Sequence, residues 1–352
     1  MRDWGFVDIR ETTGPSESLT TDSLYTDHLQ AKGVLETHRQ YFQMYLQGER
    51  PFPWELPPTQ LPTEDHLDIF IGSLAEQWIE DCSPDEPFYL QVNFGGPHDP
   101  WDAPPEYRRL YNPDEMPLSV REARTGPMSP HVEVLLKYAP NNLVRMSTAQ
   151  NQIMKANYYS KVTLIDDCVG RITQKLKERD LLDNTWIVFS SDHGEMLGDH
   201  GLLAKKVFYD GAVKVPCLFR PPNGRGQGST PALTCHLDIV ATLIEISEAA
   251  PLQDSDGRSL MPILSGESKV AQRPGVLSEL GLPPSAFVML RTENHKLSID
   301  AKSRQPIELY NLRADPNELH NLINKPDYSD VQQQLVTQIL NPMLDSLDTG
   351  TW

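Results

Sequence analysis

Apolar residues recur at three- and four-residue steps along some stretches of the chain and form short unbroken runs along others. Ile153, Ala156, Val162, Ile165, Val169, Ile172 and Leu176 make one apolar stripe, which predicts a long amphipathic helix over residues 151–179. Ile71, Leu74, Ala75 and Trp78 predict another over 67–79, and a third follows over 236–246. Apolar runs bounded by turn residues predict buried strands at 87–94, 185–190 and 215–219. Strands alternating with helices imply an α/β fold, a largely parallel sheet sandwiched by helices. Beyond Arg273 the texture changes to short strands at 274–280, 286–292 and 295–299, closed by an amphipathic helix at 328–347. That pattern predicts a small C-terminal antiparallel sheet plus helix, and a division into residues 1–272 and 273–352.

Composition narrows the function classes. The 352 residues carry a formal charge of −18, which disfavours nucleic acid and anionic membrane as partners. No apolar run approaches the roughly 18 residues of a spanning helix, and the first ten residues do not read as a signal peptide. Proline accounts for 30 residues, well above the usual share of about 5%, so much of the chain is extended loop, notably residues 51–58. Cys82, Cys168, Cys217 and Cys235 are scattered without a C-x-x-C pair. They read as free thiols, with Cys168 and Cys217 buried, and their sparse use leans towards the cytoplasm.

Two of the expected strands end in chemistry-bearing residues. One runs into Gly95-Gly96-Pro97-His98-Asp99, the other into Ser191-Asp192-His193-Gly194-Glu195. Ligands of open α/β sheets bind beyond the carboxyl ends of strands, where glycine lets backbone approach closely. Asp192 and His193 can share an ion only if the backbone is irregular there, since neighbouring side chains diverge on a strand. An oxygen and a nitrogen ligand suit calcium, magnesium or manganese, with zinc less favoured. Asp166 and Asp167 point about 100° apart on the long helix and read as solvated or structural.

These residues resemble the sulfatase family of the alkaline-phosphatase superfamily. The resemblance runs through Tyr158-Tyr159, Lys161-Val162, Ile165-Asp166, Gly170-Arg171, Asp183-Asn184-Thr185 and Ser191 to Glu195. It continues through Lys205, Tyr209, Gly211, Val215-Pro216, Asp256 to Leu260, Leu309 to Leu312, Asp315-Pro316, Glu318 and Asn321-Leu322. Pro97-His98-Asp99-Pro100 matches the family's histidine loop. The resemblance implies an alkaline-phosphatase-like fold and metal-dependent hydrolysis of a small-molecule sulfate ester. A phosphonate monoester or phosphodiester is the alternative, and a non-catalytic remnant or partner subunit a third reading. It assigns Asp192 and His193 to the metal, Lys205 to the ester oxygens and His98 to protonation of the leaving alcohol, with His200 as a further pocket residue. These groups are expected around one cavity at one edge of the sheet.

In that family a Cys or Ser in a C/S-x-P-x-R motif becomes formylglycine, whose hydrated aldehyde attacks sulfur. Cys82-Ser83-Pro84 imitates the start of that motif, but Asp85 and Glu86 follow, and it reads as a turn. The resemblance therefore places the nucleophile, its arginine and two further acidic metal ligands on an N-terminal segment outside these residues. A separate N-terminal fragment or self-association is expected to cover the open sheet edge. Residues 49–62 and 111–148 are loop-rich and are expected to overhang the site.

Overall fold

The computed structural model describes residues 5–14, 17–46, 52–138, 146–224, 228–253, 255–266, 273–281 and 286–347. The boundary expected after residue 272 falls on residues outside that set. The chain divides into two compact units, Met1–Leu118 with Met146–Thr185, and Ser119–Arg145 with Trp186–Trp352.

The first unit is built on helices α1 (Leu24–Ala31), α2 (Leu35–Leu46), α3 (Leu67–Asp81) and α4 (Thr148–Glu178). Ser147 starts α4 three residues before the apolar pattern does, because its side chain and that of Gln150 form a capping box. Ile69 on α3 joins Leu164, Ile165 and Cys168 on α4 in one buried cluster. Burying each such Leu or Ile contributes about 1.5–3 kcal/mol. Gly72 allows the two helices to cross closely, since a Cβ there would lie 3.1 Å from the Cys168 Cβ.

The buried face of α4 matches the predicted stripe only in part, at Ala156, Ile165 and Leu176. Ile153 and Val162 are exposed, whereas Met154, Asn157, Lys161, Leu164 and Cys168 are buried. A charged side chain occupies the inner face because carboxylates meet it there, which periodicity of apolar residues cannot register. Residues 87–94 form no strand, where a buried one was expected; Phe88, Leu90, Val92 and Phe94 are half-buried and the residues between them exposed. No backbone group of this run hydrogen-bonds to another described residue, so it forms no ladder.

The second unit holds β1 (Ile187–Ser190) and β2 (Cys217–Arg220), then β3 (Val276–Leu280), β4 (Phe287–Arg291), β5 (His295–Asp300) and β6 (Pro306–Asn311). Strands β1 and β2 pair antiparallel, with Ile187 opposite Arg220. Among the described residues, neither sheet contains a parallel strand pair, where a largely parallel sheet was expected. Apolar runs carry no strand direction, and neither strand is buried as expected: β1 is half-buried, and Leu218 of β2 is exposed. Cys217, expected inside, is exposed at the start of β2, while Cys168 is buried and its thiol is pushed up to about 11 by that burial.

Strands β3 to β6 form the C-terminal antiparallel sheet in chain order. Val288, Leu290, Leu297, Ile299 and Leu309 alternate onto one face and pack against Leu335, Leu340 and Leu344 of the closing helical segment. That segment winds as a π-helix over Leu335–Leu340, just before Pro342, which has no N–H to give to the ladder. Helix α5 (His236–Ile246) lies where the periodicity put it. No described helix is long and apolar enough to cross a membrane.

Candidate functional site

The expected site residues are divided between the two units. His98 stands in the first, and Asp192, His193, His200 and Lys205 stand in the second.

In the first unit, the loop carrying His98 is tied down on both sides by buried charge. The Gly96 N–H donates to Asp68 Oδ1 at 2.8 Å. A Cβ on Gly96 would meet Asp68 Oδ2 at 2.7 Å, so glycine is required for this approach. Asp102, four residues beyond His98, accepts from Lys161 Nζ at 3.2 Å, and Lys161 also pairs with Asp68 at 3.1 Å. His66 Nε2 lies 3.5 Å from Asp102. Burial opposes ionisation of both aspartates, but Lys161 and His66 outweigh it and hold both carboxyls below the ordinary range. Burial likewise opposes the charge on Lys161, and the two carboxylates more than restore it. His98, His38, Asp68, Asp102 and Lys161 line a small cavity of about 30 Å³.

The His98 imidazole is itself 55% exposed. Its Nδ1 lies 2.8 Å from the Asp99 carbonyl oxygen and 3.1 Å from Asp99 Oδ1. Tyr45 on α2 donates its hydroxyl to the other Asp99 oxygen at 2.6 Å.

In the second unit, β1 stops at Ser190 and the chain turns. Asp192 Oδ1 accepts the His193 N–H at 2.9 Å, and His193 Nδ1 sits 2.8 Å from the Gly194 carbonyl oxygen. The two side chains that would diverge on a regular strand converge here, with His193 Nε2 3.5 Å from Asp192 Oδ2. Asp192 is 85% exposed, and His193 is half-buried. This oxygen–nitrogen pair fits a divalent cation as two of its ligands. Among the described residues, no group of three or more His, Cys, Asp or Glu is placed to hold one. Gly194 matters by close approach: a Cβ would lie 2.1 Å from the Gly211 carbonyl oxygen.

Lys205 is half-buried, Lys206 exposed. The neighbours of Lys205 are both left-handed, Ala204 with φ 62° and Lys206 with φ 80°. The Glu195 carboxylate holds the turn by accepting the N–H groups of Leu197 and Ala204. His200 is buried and stacks on Tyr209, with ring centroids 3.9 Å apart. Burial, then Arg124, lowers it to about 4, so it stays neutral in a packing position.

Sequence reasoning missed the buried groups around these residues. Lys296 on β5 is buried and reaches the Phe208 carbonyl oxygen at 2.7 Å, Asp210 at 2.6 Å and Glu318, anchoring the segment that follows Lys205. Asp68, Asp102 and Tyr45 were equally unmarked, and Lys161 was marked only as part of the family resemblance. The one available signal was a histidine followed directly by a carboxylate at Asp99.

The sulfatase family matches residues 5–249, and the C-terminal family of N-sulphoglucosamine sulphohydrolase matches residues 198–344. Choline-sulfatase of Rhizobium meliloti (strain 1021) is 30% identical over 279 residues, covering 76% of this chain and 53% of its own length. The multifunctional alkaline phosphatase superfamily protein PehA of Trinickia caryophylli is 25% identical over 334 residues, 86% of this chain and 64% of its own. A phosphonate monoester hydrolase from Silicibacter pomeroyi superposes with a TM-score of 0.78 at 25% identity, over 92% of this chain and 69% of that one. The chain thus spans between half and two-thirds of the two sequence relatives.

Proposed function

The chain belongs to the sulfatase family and has its alkaline-phosphatase-like α/β fold, and on that footing we propose that it supplies part of the machinery of a sulfuric ester hydrolase. Asp192 and His193 would hold a divalent cation, calcium, magnesium or manganese before zinc. A cation there would supply electrostatic stabilisation for charge building on the ester oxygens. Lys205 pairs with those same oxygens, and His98 gives its proton to the departing alcohol. No residue of this sequence is assigned as the attacking nucleophile or as a further acidic ligand. The substrate is a small-molecule sulfate ester.

The convergence of Asp192 and His193 to 3.5 Å beyond β1 carries this reading. A second reading, a phosphonate monoester or phosphodiester hydrolase, is favoured by the likeness to the Silicibacter pomeroyi enzyme over 92% of the chain. Lysine and cation contacts suit either tetrahedral anion.

Assay of an aryl sulfate against an aryl phosphonate by the full-length protein tests both readings. Turnover that is abolished by Asp192→Ala is expected, and the preferred ester decides between them. Turnover that Asp192→Ala leaves unchanged overturns the cation assignment. No turnover of either ester, and no calcium or manganese binding by calorimetry, makes the chain a non-catalytic partner.

A further inference from the structure

In the proposed reaction His98 is the leaving-group acid, and the inference here rests on that assignment. Both groups facing His98 Nδ1, the Asp99 carbonyl oxygen at 2.8 Å and the Asp99 carboxylate at 3.1 Å, are acceptors. Nδ1 therefore carries a hydrogen, and Nε2 is the nitrogen left to exchange a proton with a substrate. A contact between neighbouring surface side chains is ordinarily worth little. What distinguishes this one is Tyr45. It is only 6% exposed, comes from α2 54 residues earlier, and places its hydroxyl 2.6 Å from the second Asp99 oxygen. Tyr41, Phe42 and Leu56 pack around it in one cluster, so the hydroxyl is fixed by a rigid neighbourhood.

We propose that Asp99 is the positioning residue of His98, and that Tyr45 holds the Asp99 carboxylate in the orientation that does this. As the S–O or P–O bond to the alcohol breaks, its electron pair stays on the alcohol oxygen. That oxygen takes the proton from His98 Nε2. The imidazole is left neutral, with its Nδ1 hydrogen still on Asp99, and the carboxylate accepts no proton itself. Asp99 and Tyr45 act on the reaction only through His98. Their effect is confined to where Nε2 points and to which ring nitrogen is protonated, as for other carboxylate–histidine pairs.

Ring-selective 13C and 15N labelling of histidine in the chain itself tests this without any substrate. In the unaltered chain the neutral His98 ring is expected as the Nδ1–H tautomer, with an order parameter near that of rigid backbone, about 0.85. Asp99→Ala is expected to lower the order parameter below about 0.6. Tyr45→Phe, which removes one hydroxyl from a packed ring, is expected to give an intermediate value. Asp99→Asn keeps an acceptor oxygen and is expected to restore the order. A His98 ring equally ordered in Asp99→Ala and the unaltered chain overturns the proposal.

A second arm uses ester turnover by the full-length protein. There Asp99→Ala is expected to slow an alkyl ester about 10- to 100-fold while leaving a 4-nitrophenyl ester within about twofold, since a good leaving group needs no acid. Loss with His98→Ala but none with Asp99→Ala overturns the proposal. No loss with His98→Ala removes His98 as the acid, and the ring-order measurement still decides whether Asp99 positions it.

Discussion

Lys161 and Asp102 meet 3.2 Å apart with both side chains buried, and Asp68 lies 3.1 Å from the same ammonium group. Two carboxylates therefore depend on one cation, all three side chains buried beside a small cavity. Lys161→Met should cost about 3–5 kcal/mol, because it leaves buried charge uncompensated. The triple variant Lys161→Met, Asp68→Asn, Asp102→Asn should recover most of that loss, since it removes the charge along with its partner. Urea unfolding midpoints check this. A single variant as stable as the parent would mean that the pair contributes nothing.

The same pair sets an acid-side trend. Asp68 and Asp102 are held below their unfolded value of about 3.9, so their contribution is intact above that pH and is lost as pH falls below it. In Lys161→Met the partner is gone and burial dominates, so both carboxyls should titrate above 3.9 and take up protons on folding. The stability gap between parent and variant should therefore narrow as pH drops from 7 to 4.5. Unfolding curves across that range show a constant gap if the argument is wrong.

Two histidines add a separate slope. Burial lowers His38 to about 4, and burial with Arg124 does the same to His200, against about 6.5 when unfolded. Between those limits the unfolded chain binds more protons, so stability falls as pH drops from 6.5 to 4. Each histidine contributes up to about 1.4 kcal/mol per pH unit. His38→Gln, which keeps a polar group near Ser18 Oγ, now 2.9 Å from His38 Nε2, should flatten the slope. An unchanged slope in both His38→Gln and His200→Gln would leave the acid sensitivity to other groups.

Elements whose signal is local were legible in the sequence. The run that became α4 was found to within three residues of its start and one of its end, and β4 and β5 to within one residue at each end. Features that depend on a partner far along the chain were not. Lys161 sits on the inner face of α4 because Asp68 and Asp102 are there to receive it, and no periodicity encodes that. Residues 87–94 carry the apolar alternation of a strand, yet strand pairing belongs to two segments and cannot be read from one. At the site, Asp192 and His193 were legible as a pair through the glycine behind them. The steric reason for Gly194, contact with the Gly211 carbonyl, was not. Tyr45 gave no sign at all, being an aromatic residue among other aromatic residues of α2.

Glycine substitutions of opposite sign follow from two positions. At Gly194 a Cβ would fall 2.1 Å from backbone oxygen, and the Gly194 N–H already donates to the Ala212 carbonyl at 2.7 Å, so neither strand end nor helix can give way cheaply. Gly194→Ala should cost about 1–3 kcal/mol or more. Gly170 is an exposed position on α4 with nothing within 4 Å of its Cβ direction. Gly170→Ala should stabilise by about 0.5–1 kcal/mol. Thermal midpoints moving in the same direction for both would contradict the packing described.

Residues 87–94 present an unpaired run of backbone among the described residues. Phe88, Leu90, Val92 and Phe94 turn one way, while Tyr89, Gln91 and Asn93 are exposed, and the backbone groups of the run pair with nothing among the described residues. An extended apolar segment with open edges is a template for a neighbouring strand. In the chain alone, the amides of residues 88–94 should exchange with solvent close to the unstructured rate, while those of Leu290 and Leu297 in the C-terminal sheet stay protected. Protection that rises with the chain's own concentration, together with a larger mass by light scattering, assigns the edge to self-association. Strong protection in a dilute monomer would mean the run needs no partner.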